Sequence, residues 1–150
     1  MIAPRNVDEL SVHGGREIGA SSWQVVTQDD VDRFAEVTGD HQWIHTDVAR
    51  ARQTEFGGTT AHGFYTLSLA PKLLAELVSF EHFVFAMNYG LNRVRFVSPL
   101  PVGERVRMRA QLDALEPRAG GASLTATLTF ERAGGDKPVC VAEFLIHLQP

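Results

Sequence analysis

The 150-residue sequence predicts an α+β fold in which an antiparallel sheet of about five to six strands is wrapped around one long central helix. Three segments in the last third alternate strictly between apolar and polar residues, the period of half-buried strands. One segment near the middle, "GFYTLSLAPKLLAELV" (63–78), instead carries its apolar residues at helical spacing. Turn-rich stretches separate the strands, so a simple meander connects them.

The first element expected is a short strand, "SWQVVT" (Ser22 to Thr27), where Trp23 and Val25 alternate with polar neighbours. Thr27 then suits a helix N-cap, with Asp29 and Asp30 in the first turn, where the helix dipole favours negative charge. Val31, Phe34, Ala35 and Thr38 follow at helical spacing, and Gly39 can close the helix in a left-handed conformation.

The helix expected over 63–78 has a wide stripe made by Phe64, Leu67, Ala70, Leu73, Leu74, Leu77 and Val78. Pro71 removes one backbone donor within it and should kink it. "FVFAMNYGLNRVRFVSP" (83–99) then reads as a long strand. In the meander, Val106, Met108, Ala110, Leu112 and Ala114 form one inward row, Leu124, Ala126, Leu128 and Phe130 a second. Cys140, Ala142, Phe144, Ile146 and Leu148 form the third, with turns at "PRAGGA" and "RAGGDKP".

Composition narrows the function classes. A single domain spanning 1–150 is the economical reading, since a chain of this length buries roughly 70% of its unfolded surface. With 44% apolar and 21% charged residues the chain is typical of globular proteins. A formal charge of −4 gives no reason to expect nucleic acid or an anionic membrane. Arg93, Arg95, Arg105, Arg107 and Arg109 still form a local basic cluster, read as a solvated strand face or as a surface for a phosphorylated ligand. One cysteine, Cys140, rules out an internal disulfide and a multi-cysteine zinc site, and its apolar neighbours make it an inert core residue. No basic start followed by an apolar run opens the chain, and Lys72 and Glu76 interrupt the best membrane-span candidate. The expected location is cytoplasmic.

The chemistry-bearing residues fall in two clusters. In "TGDHQWIHTD" (Thr38 to Asp47), Asp40 and His45 are five residues apart. That spacing separates them by about 140° on a helix and puts them on opposite faces of a strand. They can converge only on a curled segment; otherwise the stretch is a surface turn with Asp40 capping local amides. His41 and His45 are a rival metal pair, four apart, with a third ligand from His62 or Asp40, but no complete ligand shell accompanies them. In "FGGTTAHGF" (Phe56 to Phe64), His62 and Gly63 lead into the apolar helix. The first amides of a helix lack internal partners, and a glycine there lets a ligand oxygen come close, an arrangement suited to an oxyanion or enolate. A flexible loop with His62 as a cap is the plain alternative. Together the clusters supply what addition of water to an unsaturated thioester needs: a held carbonyl oxygen, an activated water and a proton donor.

These residues resemble the MaoC-like dehydratases, the (R)-specific enoyl-CoA hydratases of hot-dog fold. Gly39-Asp40, Ile44-His45 and Ala61-His62-Gly63 occupy the family's motif positions in the right order. Phe96, Pro99, Val102, Gly103 and Glu104 match its downstream strand-pair pattern. The family's Asn-Pro is Gln42-Trp43 here, similar to the NodN-like branch, and Gln42 keeps the accessory amide on a longer arm.

The resemblance implies hydration of trans-2-enoyl-CoA to (R)-3-hydroxyacyl-CoA in fatty-acid metabolism, without metal or organic cofactor. Asp40 and His45 would hold the water, and the Gly63 N–H would hold the thioester oxygen. His62, Asn88, Asn92 and Arg93 are the positions expected to contact substrate, with Arg93 or Arg95 near the CoA phosphates. The family's usual unit is a homodimer whose sheets join edge to edge. The competing readings are a hot-dog acyl-CoA thioesterase and a non-catalytic acyl-CoA-binding protein of the same fold.

Overall fold

In the computed structural model, which describes residues 1–150, α1 (Val7–Ser11), β1 (Arg16–Ala20) and β2 (Gln24–Val25) precede α2 (Gln28–Thr38). The short helices α3 (Trp43–Thr46) and α4 (Val48–Arg52) follow, then α5 (Gly63–Ser68) and α6 (Ala70–Leu74). Four long strands complete the chain: β3 (Phe85–Phe96), β4 (Arg105–Arg118), β5 (Gly121–Arg132) and β6 (Pro138–Gln149). The six strands form one antiparallel sheet in the order β1-β4-β5-β6-β3, with β2 also pairing β4. This is the α+β hot-dog arrangement expected.

The meander follows the predicted alternation. Val106, Met108, Ala110 and Leu112 on β4, Leu124 to Phe130 on β5, and Cys140 to Leu148 on β6 point their apolar side chains into one core. Ala114 departs from it. A bulge between Leu112 and Ala114 leaves Asp113 without an opposite residue, so Leu115, paired with Leu124, takes the inward place instead. Truncating a fully buried residue of this core such as Phe130 should cost about 3–5 kcal/mol. Burial pushes the Cys140 thiol up to about 11, which makes it the inert core residue expected.

The long central helix is two short ones. α5 ends at Ser68 and α6 starts at Ala70, with the joint at Leu69, two residues before Pro71. Pro71 has no N–H with which to bond a residue of the preceding turn, so the helix breaks there. Ala70, Leu73, Leu74, Leu77 and Val78 are buried as the stripe requires, but Phe64 is 69% exposed and packs edge-on against Phe96. α5 rests on β6, and α6 on β4.

Helix α2 has the expected caps. The Thr27 hydroxyl accepts from the Asp30 N–H at 3.2 Å, and Gly39 ends the helix at φ 77°. The strand before it is shorter and phased differently from the expectation. Val26 is fully buried and Val25 half-exposed, because the chain crosses β4 with Gln24 opposite Val106. Trp23 lies outside, under the guanidinium groups of Arg105 and Arg107.

β1 and α1 have no counterpart in the expectations. β1, "REIGA", holds one large apolar residue and a bulge at Gly19 (φ 129°), so no alternation marks it. α1 did carry a signal: the Asn6 side chain accepts from the Glu9 N–H at 2.9 Å, an N-cap three residues ahead of a glutamate. No helix is long and apolar enough to cross a membrane. Arg109 pairs with Glu17 at 2.6 Å and Arg107 with Glu131 at 2.9 Å, so these arginines belong to an ion-paired outer strand face.

Candidate active site

The site forms where α2 stops. Left-handed Gly39 turns the chain sharply, its N–H donating to the Ala35 carbonyl at 2.8 Å, and Asp40 emerges exposed just beyond it. The single helical turn α3 then carries His45 inward, where it is 7% exposed. The curled segment that Asp40 and His45 require is therefore a cap residue, a short link and one turn of helix.

His45 is held from two sides. Its Nδ1 lies 2.6 Å from the carbonyl oxygen of Thr60. A carbonyl can only accept, so Nδ1 carries the hydrogen and Nε2 keeps its lone pair in the neutral ring. Thr60 is itself pinned, its N–H donating to the Ile44 carbonyl at 3.0 Å and its backbone bridging to Pro101. The second hold is Gln28, whose side-chain amide donates to the His45 carbonyl at 2.7 Å and to Asp32 at 2.8 Å. The Thr59 hydroxyl donates to the Gln28 carbonyl oxygen in turn. Burial keeps the His45 imidazole below its ordinary value; His62 adds to the lowering, while the Thr60 carbonyl and Asp40 oppose it.

His62 lies against His45 with ring centroids 3.8 Å apart and planes 27° apart. It is 3% exposed, its Nε2 is 3.0 Å from the Asp40 carbonyl oxygen, and its Nδ1 has no partner. One ring nitrogen of each histidine and an Asp40 carboxylate oxygen lie within 4.8 Å of one another. That spacing suits groups sharing one water, since two ordinary hydrogen bonds meeting at a water span about 4.6 Å. It does not suit a metal. Ring lone pairs lie in the ring planes, and nearly parallel stacked rings cannot both aim at an ion about 2.1 Å away.

Gly63 starts α5 beside this group, so its N–H has no partner within the helix. A side chain here would be blocked: a Cβ on Gly63 would stand 2.8 Å from the Phe96 ring. The cleft in front of it, about 220 Å³, is lined by Thr60, Ala61, Gly63, Thr66, Phe96 and Ser98 among others.

The structure brings Asp40, His45, His62 and Gly63 together and leaves other expected residues apart. Gln42 caps α3 without a side-chain hydrogen bond and is exposed. His41 is exposed and faces Glu36 at 3.8 Å, outside the group and off the helical turn that carries His45. Asn88 is on the inner face of β3, opposite Ile146, in a separate apolar cavity of about 330 Å³ shared with Pro71, Leu74 and Phe144. Asn92 and Arg93 lie on the outer side of the sheet, where the Asn92 amide bonds Glu143 at 2.7 Å and Arg93 stands opposite the same residue. The bulges in β3 turn its residues in ways that the sequence does not announce. Arg95 donates to its neighbour's carbonyl. Thr60 and Gln28 are the residues that sequence reasoning missed. The first sat unassigned in the "TTAHG" cluster, and the second carries no local signal.

Comparison with known proteins agrees with this architecture. Residues 11–131 match the MaoC like domain. The chain is 44% identical over 143 residues, 95% of each chain, to 3-hydroxyacyl-thioester dehydratase Z of Mycobacterium tuberculosis. It is 40% identical over 140 residues to Nodulation protein N of Rhizobium leguminosarum bv. viciae, covering 90% of this chain and 86% of that protein. Among solved structures, the R-hydratase PhaJ1 of Pseudomonas aeruginosa superposes with a TM-score of 0.73 at 22% identity, over 96% of this chain and 85% of that one. The last likeness is one of fold. The chain belongs to the MaoC-like dehydratase family, with NodN-like relatives, and is a hydro-lyase.

Proposed function

We propose that the protein is an (R)-specific enoyl-CoA hydratase, a single-domain enzyme that adds water reversibly to trans-2-enoyl-CoA and forms (R)-3-hydroxyacyl-CoA. The observation that carries this reading is the Asp40 carboxylate and the neutral His45 ring within reach of one water, next to the first amide of α5. A relative that covers nearly the whole chain is named for dehydrating 3-hydroxyacyl thioesters, the reverse of the same reaction.

The chemistry follows from the placement. Asp40 and His45 hold the water, and one of them withdraws its proton as the oxygen attacks C3 of the enoyl group. The Gly63 N–H stabilises the charge that develops on the thioester oxygen. The proton then goes from the pair to C2 on the same face, since both groups stand on one side of the substrate. The two groups titrate as a coupled pair, so acid and base are roles of the dyad. Nothing in this route calls for a metal or organic cofactor.

The acting unit in this reading is a homodimer. β3 is a twelve-residue edge strand with exposed Met87, Tyr89 and Leu91, and such an edge pairs readily with a second copy. CoA thioester substrates and one free buried thiol fit a cytoplasmic enzyme.

The test is to mix purified protein with crotonyl-CoA and follow loss of the enoyl absorbance, then determine the product's chirality. Loss of absorbance with an (R) product is the expected outcome. Release of free CoA without hydration would instead make the protein a thioesterase. Bound acyl-CoA with neither signal would make it a binding protein.

A further inference from the structure

His62 occupies a place that the water-holding pair does not explain. It is buried and stacked against His45. Its Nε2 faces the Asp40 carbonyl oxygen at 3.0 Å, so Nε2 carries the hydrogen. Its Nδ1 is buried with no partner. One neighbour is Phe34, at 5.0 Å between ring centroids, and another is His45 at 3.8 Å.

We propose that His62 is a positioning residue for the hydration: its hydrogen bond fixes the backbone of Asp40 while its flat ring sets the plane of the His45 ring. One side chain thereby sets both halves of the dyad relative to one another. Without the bond to Asp40, the exposed link between Gly39 and α3 is held by longer contacts: the Gln42 N–H to the Asp40 carboxylate at 3.4 Å, the Asp40 N–H to the Thr38 hydroxyl at 3.5 Å, and the Thr46 hydroxyl to the His41 carbonyl at 3.3 Å. Without the flat neighbour, His45 keeps its Thr60 bond but can tilt about it. The inference rests on the hydratase reading of Asp40 and His45. It replaces the expectation that His62 touches substrate.

The test compares kcat and KM for crotonyl-CoA in the wild type, His62→Phe and His62→Gln, and records the ring-nitrogen resonances of the wild type. Phenylalanine keeps a flat ring against His45 but cannot donate to Asp40; glutamine carries an amide donor at nearly the position of Nε2. The expected result for His62→Phe is a fall in kcat of at least about 10-fold, as for a displaced reacting group. Its KM should stay within about twofold, the pattern of an effect on chemistry alone. His62→Gln should recover most of the loss, and the wild-type resonances should show hydrogen on Nε2.

A His62→Phe enzyme with wild-type kcat overturns the role. Equal impairment of both variants means packing alone, and a raised KM with unchanged kcat means substrate contact; either result overturns it too. If His62→Phe does not fold, a wild-type resonance showing no hydrogen on Nε2 overturns the proposal, and hydrogen on Nε2 together with near-normal His62→Gln turnover supports it. A wild type that hydrates no enoyl-CoA overturns the hydratase reading and this role with it. Wild-type turnover with indifferent variants overturns the role alone.

Discussion

The Nδ1 hydrogen of His45 is donated to the carbonyl of Thr60, 2.6 Å away and fifteen residues further along the chain. That bond leaves Nε2 as the ring nitrogen with a free lone pair in the neutral ring. Thr60 uses only its backbone, so the bond survives any change of its side chain. In the proposed reaction, removing the Asp40 carboxylate or the His45 imidazole, by contrast, removes a proton-handling group itself. Asp40→Asn and His45→Gln should each lower kcat for crotonyl-CoA at least about 100-fold. Thermal unfolding should show both variants folded. Near-normal turnover in either would falsify the dyad.

His45 also makes stability depend on pH. Burial is the largest cause of its lowered value; His62 adds to it, while Thr60 and Asp40 act the other way. The unfolded chain therefore binds a proton at pH values where the folded chain does not, and stability rises with pH across that window. The contribution is complete above the ordinary value of 6.5 and is lost as pH falls from there to His45's own lower value. Melting temperatures of the wild type and His45→Gln between about pH 5 and 8 check this. The wild type should gain on the variant as pH rises, and a gap independent of pH would contradict it.

Gln28 ties α2 to the site through His45, Asp32 and Thr59. Gln28→Ala leaves the Thr59 hydroxyl, on a residue only 4% exposed, without its acceptor. A buried group left unpaired costs about 1–3 kcal/mol, so denaturant unfolding should show a loss of that size. Activity should fall as well because the His45 backbone loses a support. An unchanged unfolding midpoint would show that the network contributes nothing.

Gly63 is constrained by Phe96 as well as by any role of its N–H. Gly63→Ala places a Cβ 2.8 Å from the ring, and overpacking of this kind costs about 1–3 kcal/mol. In a Phe96→Ala background Gly63→Ala should cost no further stability, since Cγ, Cδ1 and Cδ2 of Phe96, the atoms it would meet, are gone. A cost that persists in that background would move the cause to the backbone.

The exposed edge of β3 makes an assembly prediction. The wild type should sediment at twice the chain mass of 16.5 kDa. Met87→Lys combined with Tyr89→Lys, both at exposed positions of this strand, should sediment as a single chain. A wild type that runs as a single chain would remove the homodimer from the proposal.

The sequence by itself determined the elements whose signals are local. Thr27 and Gly39 marked both ends of α2 because caps are made within three or four residues. The alternation in β4, β5 and β6 predicted their inward rows because one face of each strand is buried. It also singled out Asp40, His45, His62 and Gly63, since few arrangements need those residue types so close to helix ends.

Only the tertiary structure decided how they meet. The bulges that put Leu115 inward in place of Ala114, and Asn92 against Glu143, arise from pairing with a neighbouring strand. The tautomer of His45 depends on Thr60, its support on Gln28, and the hold on Asp40 on His62, over separations of 15, 17 and 22 residues. Contacts at that range leave no periodic trace in a sequence, because they form only after the chain has closed the loops between them.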